Sequence, residues 1–469
     1  MCLHIGNVGP IVVLAPSIYS CRPIARPCPQ LYALQSSPCS GPAGDRILKQ
    51  TFPGQKDNSG ILTRKARHVT VIGGGVVGMA TAYALARRGH RVTVLEAESG
   101  PAMRTSYANG AQLSYVYTDA LANAALWKSL PKLALGRDPS FRMRVSLSPA
   151  FLSWLAKFTG QMNSRAFERN TLAVLALAEE SRQAMENLLT QHPIAFSYER
   201  PGKLHLYENA TSYAAAQRIM TLKARYGVQQ FALNPQEAVM CEPALENVAQ
   251  RLAGAIHSPG EEVGDPFQFT RAVSQLLRDD YDIALRYRAR VKRLKQQGHQ
   301  WVLTLTSGEE LVQDDVVLCT GPEANQLLRP LGLPQLIQAM KGYSITAPLG
   351  KRAPLVSITD TPRKIVFARL GDRMRIAGLA EIGVSSSQVE PNRLATLVRL
   401  AREALPEAAD YDAITDHWAG LRPMTPNSQP IISHPRTGLY LNCGHGMLGW
   451  TLAMGSAERV ARMFETSAC

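Results

Sequence analysis

No two of the eight cysteines form a CxxC pair, so the sequence offers neither a zinc knuckle nor a thioredoxin-like redox motif. Cys2, Cys21, Cys28 and Cys39 crowd the N-terminus, while Cys241, Cys319, Cys443 and Cys469 lie far apart. Free thiols in a reducing compartment are the simplest expectation. Basic runs with interleaved aromatics are also missing. The net charge of +14 therefore implies at most a mild attraction to anionic membrane surfaces, and no nucleic-acid partner. Met1 to Ala15 has no Lys or Arg, and Pro10 and Pro16 bracket its apolar run, which argues against a secretory signal.

Residues 1–66 are rich in Pro, Ser, Gly and Cys and carry no sustained periodicity. A transit peptide is one reading. We expect instead a disordered extension or a start assigned too far upstream, with the fold beginning near Arg64. Beyond it, a chain of 469 residues with 45% hydrophobic and 19% charged residues suits a globular protein of two or three domains.

What is present begins with HVTVIGGGVVGMATAYALARRGHRVTVLE, His68 to Glu96. An apolar strand ending in Val71 and Ile72 runs into Gly73-Gly74-Gly75-Val76-Val77-Gly78. A small-residue helix follows, then a second strand that ends at Glu96. This is a βαβ unit with a dinucleotide fingerprint. Gly73 permits the tight turn, Gly75 the approach of a pyrophosphate, and Gly78 close packing of helix on sheet. The helix N-terminus faces the phosphates. Glu96 accepts from ribose hydroxyls and repels a 2′-phosphate, so FAD or NAD is expected rather than NADP. Val69 to Ala86 is uncharged and just long enough to span a bilayer, but its glycine cluster and strand-like start oppose that reading.

Further along, Pro101–Ser114 gathers Thr105, Ser106, Asn109 and Gly110. This is either an ordinary polar loop or, beside FAD, a segment crossing the pyrophosphate toward the flavin. Residues 120–192 read as helical. Lys203–Tyr207, Ala284–Leu294, Trp301–Thr306 and Val316–Cys319 read as strands, the last delivering Thr320-Gly321 to the nucleotide site. Gly371-Asp372 marks a hairpin between Ile365–Leu370 and Arg373–Ala377. Near the C-terminus, a strand Leu439–Asn442, the turn Gly444-His445-Gly446 and a helix from about Leu452 offer a second positive helix end. His445 has no nearby His or acid to complete a metal site, so no metal is expected.

Taken together, IGGGVVG with Glu96, TSYANGAQLS, KGYS, GLRPMTP and GHGMLGWTLAMGSA resemble the D-amino-acid oxidase-like FAD-dependent oxidoreductases. Within that family the likeness is strongest to bacterial D-amino acid dehydrogenase small subunits. The resemblance covers roughly residues 67–465. It implies an α/β fold: a discontinuous, doubly wound Rossmann-like FAD domain (67–115, 250–330, 417–465) and an α+β substrate or cap domain on an antiparallel sheet (116–249, 331–416). It also implies oxidation of D-amino acids by hydride transfer from Cα to flavin N5, with electrons passed to a respiratory-chain or quinone acceptor. Glycine or sarcosine oxidation, or L-amino-acid dehydrogenation, fits the same plan. A mainly structural flavin subunit of a membrane-associated assembly is the alternative of another class.

By motif, Arg422 would hold the substrate carboxylate through its planar fork, and Tyr343 is a weaker candidate for the substrate pocket. Thr105, Ser106 and Asn109 would touch the flavin side of FAD. Gly444, His445, Gly446, Gly449, Trp450 and Thr451 would approach its pyrimidine end, and Gly321 would return under the cofactor. Asn427-Ser428 stands where relatives usually carry Asp-Gly, which alters a turn. A cytoplasmic location, peripheral on the inner face of the membrane, is expected.

Overall fold

The computed structural model describes residues 66–124, 126, 127 and 138–466. The expectations for residues 1–65 fall outside that range.

Two large sheets carry the molecule. The first has six strands in the order Ile431–Arg436, Leu439–Cys443, Asp315–Leu318, His68–Ile72, Arg91–Leu95, Ala284–Arg286. All are parallel except the antiparallel edge strand Ile431–Arg436. The inner strands of such a sheet are buried on both faces, which explains why they are largely apolar. On one face Val69, Val71 and Val317 share a core with the helices Val76–Ala86, Pro266–Asp279 and Gly449–Thr466, the last of which is backed by Ser164–Gln191. On the other, Ile72, Leu95 and Leu318 meet Trp301 and Leu303 from a three-stranded meander, Val291–Gln297, Gln300–Leu305 and Glu310–Gln313. The uncharged stretch is thus a central strand plus an 11-residue helix, Val76–Ala86, buried nearly all round because its alanines admit close neighbours. No helix among the described residues is long and apolar enough to cross a membrane.

The second sheet has nine strands. Eight follow the order Asp416–Met424, Gln338–Pro348, Arg373–Ile382, Ile365–Leu370, Ser357–Asp360, Lys203–Tyr207, Gly254–Ser258, Phe231–Leu233. The ninth, Phe141–Met143, pairs with Ala380–Ile382. Pairing is antiparallel except at Phe141–Met143 and between Ser357–Asp360 and Lys203–Tyr207. The hairpin forms at Gly371, whose φ is +64°. The expected segment boundaries at 250 and 417 fall beside or inside strands of this sheet: Gly254–Ser258 and Asp416–Met424 both belong to it.

Two element readings are corrected. Residues 120–192 are not wholly helical, because Phe141–Met143 is drawn into the nine-stranded sheet, ahead of the helices Pro149–Gly160 and Ser164–Gln191. Ala284–Leu294 is two strands in two sheets, Ala284–Arg286 and Val291–Gln297. They are separated at Arg288, whose φ is +55° and whose amide donates to the Glu98 carbonyl. Neither Gly nor Pro marks that break.

Candidate active site

The turn after His68–Ile72 separates the glycines by task. Gly73 has φ +109°, and a Cβ there would lie 2.6 Å from the Cys319 carbonyl oxygen. A Cβ on Gly78 would sit 1.8 Å from the Gly73 carbonyl oxygen, so these two glycines hold helix, turn and sheet together. Gly75 differs: its backbone is extended (φ −74°, ψ 178°), and a Cβ would meet only Ser106 Oγ, at 3.4 Å. The helix beginning at Val76 has no side-chain cap from Gly75. Its Val76 amide donates to Ser106 Oγ at 3.1 Å. Glu96 is buried at the end of the second strand, where its carboxylate accepts from the Gly74 amide at 2.5 Å and the Glu98 amide at 2.8 Å.

The segment from Thr105 to Ser114 then runs diagonally over the nine-stranded sheet. Thr105 Oγ1 donates to the Leu421 carbonyl at 2.9 Å. The Ala108 carbonyl accepts from Ser344, and the Asn109 carbonyl from Arg375. The Asn109 side chain caps its own turn by accepting from the Ala111 amide. Gln112 reaches Ser357. At the end, Ser114 donates its amide to Thr451 Oγ1 at 2.9 Å, and its hydroxyl accepts from Lys203 Nζ at 2.7 Å.

These walls enclose a cavity of about 990 Å³. It is lined by Gly73, Gly75, Glu96, Ser106, Thr320, Gly321, Lys203, Arg422, His445 and Gly449, among others. Thr320 Oγ1 is buried there without a hydrogen-bond partner among the described residues. The open face of Gly75, a helix start that Gly75 leaves without a side-chain cap, and Glu96 fit the pyrophosphate and ribose of FAD.

The C-terminal motif distributes its residues between cavity and core. Gly444 and Gly446 have φ of +77° and +57°, and Gly449 opens the 18-residue helix Gly449–Thr466. Thr451 holds Ser114. The His445 imidazole lies 2.9 Å from Ser456 Oγ; burial drives its pKa down to about 3, so it is neutral. The Trp450 indole packs against Phe196 and Phe269 and donates to the Gly264 carbonyl at 3.2 Å. Ser428 takes φ +62°, a left-handed conformation that glycine adopts freely. Its hydroxyl accepts from the Leu121 amide.

Arg422 faces the cavity. Its Nη1 donates to the Leu379 carbonyl at 3.1 Å. Burial alone lowers its pKa to about 10, and no carboxylate among the described residues is paired with it. At neutral pH it is a cation with its charge unspent. Tyr343 borders the cavity too, but its side chain is placed differently. Its hydroxyl donates to Glu381 at 3.0 Å, and Glu381 is also ion-paired with Arg393 at 2.7 Å. Its ring belongs to the buried cluster of Ile345, Ile376 and Leu397. Burial, aided by the Glu381 carboxylate, raises its pKa.

Lys203 is a cavity residue that pattern reading missed. It is buried, lies 5.0 Å from the Tyr117 ring centroid, and is pulled down to about 8 by burial against the opposing pull of Glu261. The available signal was a lysine within the short run KLHLY, all of it buried.

Fold and site define a flavin oxidoreductase. The chain belongs to the DAO family of FAD-dependent oxidoreductases, whose profile matches residues 68–463. It is 40% identical over 404 residues to D-amino acid dehydrogenase 2 of Ralstonia nicotianae, covering 84% of this chain and 95% of that protein. To D-amino acid dehydrogenase 2 of Pseudomonas aeruginosa it is 38% identical, covering 84% and 94%. Among solved structures, glycine oxidase from Bacillus cereus superposes with a TM-score of 0.65 at 20% identity, covering 86% of this chain and 96% of that one. L-Proline dehydrogenase from P. horikoshii gives 0.67 at 18%, covering 86% and 94%. These two likenesses establish the shared fold.

Proposed function

We propose that this chain oxidises D-amino acids to imino acids, which water hydrolyses to 2-oxo acids and ammonia, and that the electrons pass to a respiratory-chain or quinone acceptor. The observation that carries the reading is Arg422: a cation that no carboxylate among the described residues pairs, in the same cavity as the dinucleotide turn. A guanidinium there suits a carboxylate held by two charge-assisted hydrogen bonds. The relatives named D-amino acid dehydrogenase support the substrate class.

FAD, when bound, supplies the hydride acceptor. The chain's own residues supply position. Arg422 fixes the carboxylate and thereby the place of Cα. Gly73 to Gly78, Glu96 and Ser106 hold the dinucleotide. No general base is assigned, since a neutral substrate amine needs none. The charge of +14 supports peripheral attachment to anionic lipid on the cytoplasmic face, where a quinone is within reach.

Purified protein should be yellow and should bleach anaerobically with D-alanine but not L-alanine. A folded, colourless protein, or bleaching by the L-enantiomer alone, would sink this reading. Running the same panel with oxygen and then with a quinone or dye separates an oxidase from a dehydrogenase. Sedimentation with vesicles, with and without anionic lipid, tests the membrane attachment.

A further inference from the structure

The strands Gln338–Pro348 and Asp416–Met424 pair antiparallel, with Gly342 directly opposite Gly420 and Met340 opposite Arg422. Side chains alternate between faces along a strand. Trp418, Gly420 and Arg422 therefore share one face with Met340, Gly342 and Ser344. Glycine is poorly suited to a strand interior, and there it often marks a close approach.

Both glycines are approached closely. A Cβ on Gly342 would lie 2.0 Å from Arg422 Nη2, 2.3 Å from Cζ and 2.7 Å from Nη1. A Cβ on Gly420 would lie 2.0 Å from Cη2 and from Cζ2 of Trp418. The guanidinium thus lies across the neighbouring strand at Gly342, and the indole lies along its own strand at Gly420. Arg422 is also gripped at its far end by the Leu379 carbonyl, 3.1 Å from Nη1. Leu379 adopts φ +58°, where the register of its strand against Gln338–Pro348 shifts between Lys341 and Tyr343.

We propose that Gly342 is a positioning residue for the carboxylate-binding arginine: its missing side chain is the space that aims the Arg422 guanidinium across the sheet and into the cavity. This rests on the reading of Arg422 as the group that binds the substrate carboxylate. Gly342→Ala would strike the end of a flexible side chain rather than backbone, so the strands can remain paired while the guanidinium swings off the Leu379 carbonyl. The charge stays in the site and its aim is lost.

The test is a double-mutant cycle over Gly342→Ala and Arg422→Ala in the FAD-loaded protein. Three quantities are read for each variant: the melting temperature with FAD content, the Kd of propionate from its perturbation of the flavin absorbance, and KM and kcat for D-alanine. Gly342→Ala should keep its FAD and raise both the propionate Kd and KM roughly tenfold or more, as expected from the loss of charge-assisted geometry. In the Arg422→Ala background the same substitution should do nothing further, because the truncated side chain leaves the space free. Unaltered propionate binding in Gly342→Ala, beside clear loss in Arg422→Ala, would overturn the positioning role alone. Normal binding in Arg422→Ala would overturn the reading of Arg422 itself. Should Gly342→Ala unfold, recovery of its melting temperature in the double variant would still assign the clash to the guanidinium. A double variant that stays unfolded would refute it.

Discussion

Gly75→Ala and Gly78→Ala should fail in opposite ways. At Gly78 a methyl group would lie 1.8 Å from the Gly73 carbonyl oxygen, and neither backbone can move without opening the turn. Overpacking of this kind costs about 1–3 kcal/mol and occasionally more, so the FAD-free protein should melt at a lower temperature or fail to fold. At Gly75 the backbone is already in an extended conformation that alanine adopts, and its nearest neighbour would be Ser106 Oγ at 3.4 Å. Stability of the FAD-free variant should change by less than about 1 kcal/mol and could rise, since alanine reduces the freedom of the unfolded chain. FAD affinity should nevertheless fall. The new methyl occupies the space in which the helix N-terminus meets the pyrophosphate, and each charge-assisted hydrogen bond lost there is worth about 1.5–3 kcal/mol, or roughly tenfold per 1.4 kcal/mol. Stripping the flavin, melting the apoprotein and titrating FAD by fluorescence quenching separates the two effects. Added FAD should raise the melting temperature of Gly75→Ala less than that of wild type. Wild-type FAD affinity in Gly75→Ala would show that pyrophosphate binding does not need the glycine.

Arg422→Ala should lower kcat/KM by about tenfold to a hundredfold while retaining FAD. Arg422→Lys should recover little of this, and retained discrimination between an amino acid and its decarboxylated amine in the alanine variant would make Arg422 structural. Glu96→Ala leaves the Gly74 and Glu98 amides without their acceptor and should weaken FAD by roughly tenfold or more; unchanged affinity would remove Glu96 from the ribose site. For Lys203→Met the prediction is a pH dependence. Lys203 titrates near about 8 in the folded chain against an ordinary 10.5. Below pH 8 it is protonated in both states and the burial cost is fully present; between 8 and 10.5 the unfolded chain holds the proton that the folded chain has released, so stability rises with pH. Wild type should therefore gain about 1–3 kcal/mol on Lys203→Met between about pH 7 and about pH 10, read by paired denaturant titrations, and a gap that stays constant with pH would refute it.

The parts of the fold that were legible in the sequence are those set by neighbours along the chain. The His68–Glu96 unit is written in consecutive residues: an apolar strand, glycines that only a tight turn needs, an alanine-rich helix and an acid at the second strand end. Gly371-Asp372 announced its hairpin in the same way. Phe141–Met143 was not legible, because what makes it a strand is Ala380–Ile382, far away along the chain. The break in Ala284–Leu294 was hidden for a related reason. Tyr and Arg are not residue types that favour turns, and the turn at Tyr287 and Arg288 is stabilised by the Glu98 carbonyl, which accepts from the Arg288 amide.

At the site, the backbone requirement of the glycines was legible and the direction of the side chains was not. A glycine states a backbone requirement that survives without knowledge of the surroundings, as at Gly73, Gly78 and Gly444. His445 and Trp450 come from the same motif as Gly444, yet their side chains turn to Ser456 and to Phe196 and Phe269, directions decided by packing. KGYS shows how far alternation can be pushed. Tyr343 drew the attention, having a hydroxyl that could meet a substrate. Adjacent strand residues point to opposite faces, so Gly342 and Tyr343 cannot both serve the face that carries Arg422. A Cβ on Gly342 would strike the Arg422 guanidinium, which assigns that face to the glycine. Tyr343 must then point to the other side, where Lys341 lies 5.0 Å from its ring centroid and Glu381 accepts from its hydroxyl. On the proposed reading of Arg422, the residue of KGYS that aims its guanidinium is the one without a side chain.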